Sequence, residues 1–235
     1  MNDVWSPCAD RLERTRRDLP ERELSAARAV VVHTTGSGIV IKALKKGADP
    51  LNYAAEYYAR PRSFCSHYLV GHDAEGGIIG TVPEGLIAYH SGVASKRVAA
   101  YKRGRQYWMC RRWKSGTGLV EMLRHDGRYR DWAQRWPQVA SPLDLVPRRW
   151  VNKRTVGVDL LAPLPGSRHP NEQIVLAAGL INDVCERLEI PIAKGTILRH
   201  SDVDPLTRST KSRGGWDPPR RAFEALCECL GVTPW

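Results

Sequence analysis

The stretch Ala29-Val30-Val31-Val32-His33-Thr34-Thr35-Gly36 decides the fold and raises the question of function. Its β-branched run predicts a buried strand over 30–33, closed by a turn over 34–38. A histidine at a strand end has its direction fixed by the sheet while its tip stays accessible. His200 stands in the same relation to a short strand predicted at Ile197-Leu198, and it opens His200-Ser201-Asp202-Val203-Asp204-Pro205. Asp217 comes later, in Gly214-Gly215-Trp216-Asp217-Pro218-Pro219. Two imidazoles and a carboxylate suffice for a three-ligand zinc site with one position open for water, and an open zinc serves hydrolysis. Each residue also has a plainer reading: satisfied core histidines, and an aspartate capping the last helix.

Further elements are predicted on either side of these motifs. An Arg/Glu-rich helix is expected over about 9–28, interrupted near Pro20. Residues 51–59 read as a helix and 66–70 as a strand. Asp73-Ala74-Glu75-Gly76-Gly77 reads as a hairpin turn into a strand over 78–82. Residues 86–90 form a short extended piece, and Thr155–Leu160 is another buried strand. The clearest helix starts with Asn171 as its cap and repeats Ile174, Ala177, Ala178, Ile181, Val184, Cys185 and Leu188 at helical spacing. Pro218-Pro219 opens a last helix with Phe223, Leu226 and Leu230 on one face. The expected class is α/β, a mixed central sheet flanked by helices.

The 235 residues and 42% hydrophobic content suit one domain with elaborations. No apolar run approaches the roughly 20 residues of a membrane span. Residues 1–23 are polar and lack the apolar core of a signal peptide, so synthesis in the cytoplasm is expected. Release to the periplasm or wall would then need a holin or a dedicated secretion system. Six scattered cysteines without a Cys-x-x-Cys pair read as reduced thiols. The net charge of +11 is concentrated: residues 96–150 hold fourteen Lys/Arg against four Asp/Glu, and five of the eight tryptophans.

Several short motifs occur in a fixed order. They are Val31-Val32-His33-Thr34-Thr35-Gly36, Ser66-His67-Tyr68-Leu69-Val70, Ala88-Tyr89-His90-Ser91-Gly92, Thr155-Val156-Gly157-Val158-Asp159-Leu160, His200-Ser201-Asp202-Val203-Asp204-Pro205 and Trp216-Asp217-Pro218. The series resembles the zinc N-acetylmuramoyl-L-alanine amidases, a family that includes phage endolysins, wall-recycling amidases and peptidoglycan recognition proteins. The resemblance covers roughly residues 29–95 and 150–230. It implies zinc (Zn2+) held by His33, His200 and Asp217, and Asp159 as the acid that takes a proton from the attacking water. His67 and His90 match positions that line the substrate groove. The implied reaction is hydrolysis of the amide joining N-acetylmuramic acid to the L-alanine of the stem peptide, in peptidoglycan or in muropeptides. The chain departs from the family pattern in three places. Asp159 is one methylene shorter than the usual glutamate. Gly215 stands where a basic residue often stabilises the oxyanion, which leaves Lys211 or Arg213 to serve. Ser66 stands where many members carry tyrosine.

The implied organisation is an N-terminal helical extension over 1–28 and an amidase domain over 29–235, with residues 96–149 as a basic, aromatic insertion. The insertion has three readings. It is a solvated basic surface anchored by tryptophans, a surface for anionic wall or envelope polymers and glycans, or a single-stranded nucleic-acid surface. No RNA- or DNA-binding motif accompanies it, so nucleic acid ranks last. Two other functions compete with the amidase: a catalytically impaired peptidoglycan-binding protein on the same fold, and a basic nucleic-acid-binding protein with structural histidines.

Overall fold

The computed structural model describes residues 4–9, 11–12, 19–60, 64–73, 75–90, 100–103, 106–109, 152–200 and 217–233. Its centre is a six-stranded sheet of β1 (Arg11–Leu12), β2 (Ala29–Thr34), β3 (Tyr68–Val70), β4 (Ile78–Gly80), β7 (Thr155–Leu160) and β8 (Ile197–Arg199). The order is β1-β4-β3-β7-β2-β8. Only the β3–β4 hairpin is antiparallel. The sheet is therefore mixed, as expected for an α/β chain. A separate antiparallel pair, β5 (Ala100–Arg103) and β6 (Gln106–Met109), falls within the basic segment. The rest of that segment lies outside the described residues.

Strand alternation explains the two faces of the sheet. Val30 and Val32 of β2, with Val156, Val158 and Leu160 of β7, join Tyr68 and Val70 in one apolar cluster. The long helix α3 (Asn171–Arg187) and the last helix α4 (Arg220–Cys229) close that cluster through Ile174, Ala177, Ile181, Val184, Phe223 and Leu226. Because side chains alternate along a strand, His33, Thr155, Gly157 and Asp159 project from the opposite face. A second cluster on that side joins Leu69, Ile79 and Leu86 to helices α1 (Ser37–Lys45) and α2 (Pro50–Tyr58). Asp49 caps α2 by accepting from the Asn52 amide at 2.8 Å, with Pro50 in the first turn. No helix among the described residues is long and apolar enough to cross a membrane. No described cysteine forms a disulfide with another described cysteine.

Three local expectations need correction. Asn171 is the first residue of α3, with Pro170 as the boundary residue, so Asn171 does not cap the helix. The turn expected over 34–38 gives way at Ser37 to α1, which no side chain caps. The helix expected over 9–28 is not formed where the chain is described. Arg11–Leu12 is an edge strand beside β4, and Leu24–Ala26 is a single 3-10 turn; residues 13–18 lie outside the described residues.

The N-terminal chain is extended because the core binds it. Buried Arg22 donates to the carbonyls of Glu84 (2.7 Å) and Thr155 (2.6 Å). The Glu84 amide donates to the Val4 carbonyl at 3.0 Å, and the Ser6 amide donates to the Tyr68 hydroxyl at 2.7 Å. Trp5 meets the Tyr68 ring edge-on, with centroids 6.3 Å apart. Glu84 is the hub of this network. Its carboxylate is fully buried, takes two bonds from Arg187 at 2.7 and 2.8 Å, and accepts from the Tyr68 hydroxyl. Glu84→Ala would remove the acceptor of the Tyr68 hydroxyl and of two Arg187 bonds, while Arg187 keeps Asp183 at 2.8 Å and stays partly exposed. The fold should be destabilised by about 1–3 kcal/mol, read as a lowered urea midpoint with an unchanged slope.

Candidate active site

The site lies at the carboxyl ends of three parallel strands, where open α/β sheets commonly bind ligands. His33 is the penultimate residue of β2, and Asp159, the penultimate residue of β7, is its register partner. Partners in a parallel ladder share a face, so the imidazole and the carboxyl stand side by side. His200 follows directly on β8, the other neighbour of β2. The sheet thus brings together three side chains that are up to 167 positions apart in the chain.

His33 and His200 meet edge to face, with ring centroids 4.7 Å apart. Their Nδ1 atoms are 3.0 Å apart, and both residues are buried. Two imidazole lone pairs this close repel unless a proton or a cation lies between them. Tetrahedral zinc with ordinary zinc–nitrogen distances holds its nitrogen ligands roughly 3.3 Å apart. The pair therefore fits the two-imidazole part of a zinc centre after a shift of a few tenths of an ångström. The other nitrogen of His33, Nε2, lies 3.0 Å from Nδ1 of His90. Burial, helped by the Arg22 charge, pushes the His90 pKa down to about 3, so its ring is neutral.

Asp159 is a buried carboxyl. The Tyr58 hydroxyl, from the last residue of α2, donates to its Oδ2. Its Oδ1 is buried and has no hydrogen-bond partner among the described residues. Burial pushes the Asp159 pKa up to about 7, opposed by the hydroxyls of Tyr58 and Ser66. A carboxyl poised near neutrality, with one oxygen uncommitted, is suited to taking and returning a proton. Tyr58 in turn has its hydroxyl pKa raised by burial first and by the Asp159 charge second, so it remains a donor. Tyr58→Phe would remove that donor and keep the ring. The carboxyl pKa should then rise by about one unit, moving the midpoint of the acid limb of kcat/KM to higher pH, at a stability cost of about 1–3 kcal/mol for the buried carboxyl that loses this donor.

The other predicted residues are placed differently. His67 has no exposed surface and is enclosed on all sides. Its Nδ1 accepts from the Gly157 amide at 2.9 Å, and its Nε2 faces the Leu86 carbonyl at 3.2 Å and the Arg22 guanidinium at 3.3 Å. Its placement is that of a core residue clamping β7. His90 is also buried, and it contacts His33. Asp217 is half-buried ahead of α4. Among the described residues no group of three His, Cys, Asp or Glu side chains gathers into a metal site. Lys211, Arg213 and Gly215 lie outside the described residues.

Sequence reasoning missed Tyr58. A signal was available: Leu51, Ala54, Ala55 and Tyr58 form the buried stripe of α2, and Tyr58 alone in that stripe carries a polar tip. A buried tyrosine hydroxyl usually has a partner. The partner, 101 residues away, could not be read from the stripe.

A family model described as N-acetylmuramoyl-L-alanine amidase matches residues 23–218. Two solved structures resemble the chain. One is an endolysin N-acetylmuramoyl-L-alanine amidase, LysCS, from Clostridium intestinale URNW, at 14% identity and a TM-score of 0.46, covering 97% of this chain and 99% of that one. The other is a selenomethionine derivative of AmpD, at 17% identity and a TM-score of 0.46, covering 99% of each chain. A search of curated proteins finds no match.

Proposed function

Because the chain belongs to the N-acetylmuramoyl-L-alanine amidase family, we propose that it is a zinc hydrolase of peptidoglycan, cutting the amide between N-acetylmuramic acid and the L-alanine of the stem peptide. The observation that carries this reading is the His33–His200 pair, with its Nδ1 atoms 3.0 Å apart, beside the buried carboxyl of Asp159. His33 and His200 would hold the metal. Asp217 is the proposed third ligand. Bound there, zinc would supply Lewis-acid polarisation of the scissile carbonyl and a lowered pKa for water.

The chain's own residues would do the rest. Asp159 accepts the proton of the attacking water and returns it to the leaving amine, a shuttle that suits a pKa near 7. Tyr58 fixes one oxygen of that carboxyl by donating to Oδ2 and leaves the other for the reacting proton. Lys211 is the proposed partner of the developing oxyanion, in place of the basic residue absent at Gly215.

Elemental analysis of the purified chain tests the metal directly. One zinc per chain is expected, removable by a strong chelator and restored by added zinc. A chain that stays free of zinc at micromolar concentrations of the metal would sink the reading.

A further inference from the structure

We propose that His90, seated on Gly157 and anchored at Thr155, is a positioning residue that fixes the ring tautomer of His33. The inference rests on the reading of His33 as a metal ligand, because its consequence is which nitrogen of His33 offers a lone pair to the metal.

A neutral imidazole donates through one nitrogen and accepts through the other, so a chain of imidazoles passes one polarity along its length. The chain here begins at Thr155. Nε2 of His90 lies 3.4 Å from the Thr155 carbonyl oxygen and 3.2 Å from its hydroxyl. A carbonyl only accepts, and Arg22 holds this one in place by donating to it at 2.6 Å. The hydroxyl, the nearer of the two, can accept as well as donate, so in the proposed relay His90 carries its proton on Nε2 toward Thr155 and its Nδ1 is the acceptor. The neighbour of that Nδ1, 3.0 Å away, is Nε2 of His33. His33 must then carry its own proton on Nε2, which leaves a lone pair on Nδ1. That Nδ1 is the atom facing His200. The acceptor at Thr155 thus sets, through two rings, the ligand atom of His33. Partners of this kind orient metal-bound imidazoles and raise their basicity.

Gly157 makes the seat possible. A Cβ added there would lie 2.4 Å from Cγ of His90 and 2.7 Å from its Nδ1. Those atoms are the root of the ring, with no flexible end to swing aside. The peptide at this position is also gripped from the other side. The Gly157 amide donates to Nδ1 of His67 at 2.9 Å, and its carbonyl accepts from the His67 amide at 3.0 Å. His67 thus steadies the strand against which His90 lies. The polar clamp around β7 serves to aim one imidazole.

Nitrogen-15 NMR of the histidine rings in the metal-free full-length chain, followed by zinc titration against a chelator of known affinity, tests this. The wild type should show His33 protonated on Nε2. His90→Leu should lose that preference and bind zinc about 10- to 100-fold more weakly. Gly157→Ala should reproduce both changes by displacing the ring. His90→Gln, whose amide both accepts and donates, should recover part of each. A wild-type His33 protonated on Nδ1 would overturn the proposal, as would unchanged tautomer and zinc affinity in His90→Leu. The wild-type spectrum decides even if the leucine variant does not fold. A wild type with the Nε2 tautomer that binds no zinc would leave the relay standing and reject the metal reading alone.

Discussion

His33→Ala is expected to lose both metal and turnover. The substitution deletes one of the two nitrogens that converge at 3.0 Å, so a single imidazole remains of the pair. Zinc content after dialysis should fall from one per chain to background, and muropeptide cleavage should fall on the order of 10³-fold or more. The fold should survive at a cost. Nδ1 of His90 loses its neighbour, and one unsatisfied buried polar group costs about 1–3 kcal/mol. Elemental analysis, a thermal melt and a cleavage assay on the same preparation separate these effects. A folded variant that keeps stoichiometric zinc would show that His33 is not a ligand.

Asp159→Asn should leave metal content near the wild-type level and reduce cleavage by about 10²- to 10⁴-fold, the range associated with a lost general acid–base group. Its effect on stability should run the other way. Burial raises the carboxyl from 3.8 to about 7. In the metal-free protein the folded state therefore keeps a proton that the unfolded chain has released. Stability from this group is fully present below pH 3.8 and is lost as pH rises through about 7. Asparagine has the same size and no such proton. The stability of Asp159→Asn relative to the wild type should consequently improve as pH rises from 4 through 7 and level off above that. Denaturant unfolding of the metal-free proteins at several pH values reads it. A stability difference that does not vary with pH would mean that the carboxyl ionises normally.

These effects differ in how far the sequence could announce them. The strands at Ala29–Thr34 and Thr155–Leu160 were legible as short β-branched, buried runs, and the helix Asn171–Arg187 by its helical spacing. His33 and His200 were legible because each ends such a strand, and the sheet then brings them into contact. Helix Ser37–Lys45 was hidden by its start: Thr34-Thr35-Gly36-Ser37-Gly38 has the composition of a turn, and no side chain caps the helix. The N-terminal segment was misread for a different reason. Its Arg/Glu pattern favours a solvated helix, but Arg22 is drawn into the core by carbonyls 62 and 133 residues away. Partnerships at such separations leave no local trace. The Tyr58–Asp159 hydrogen bond and the His67 clamp on Gly157 are of the same kind. The type of chemistry could be read from the strand ends, while the groups that tune it became visible only in the fold.

Digestion of a defined muropeptide, with mass detection of both products, tests the central claim most directly. The zinc-loaded chain should release an intact stem peptide with a free L-alanine amino terminus, leave the lactyl carboxylate on the sugar, and stop when the metal is chelated. Cleavage at a glycosidic or peptide bond within the stem, or release of the same products by chelated protein, would contradict it.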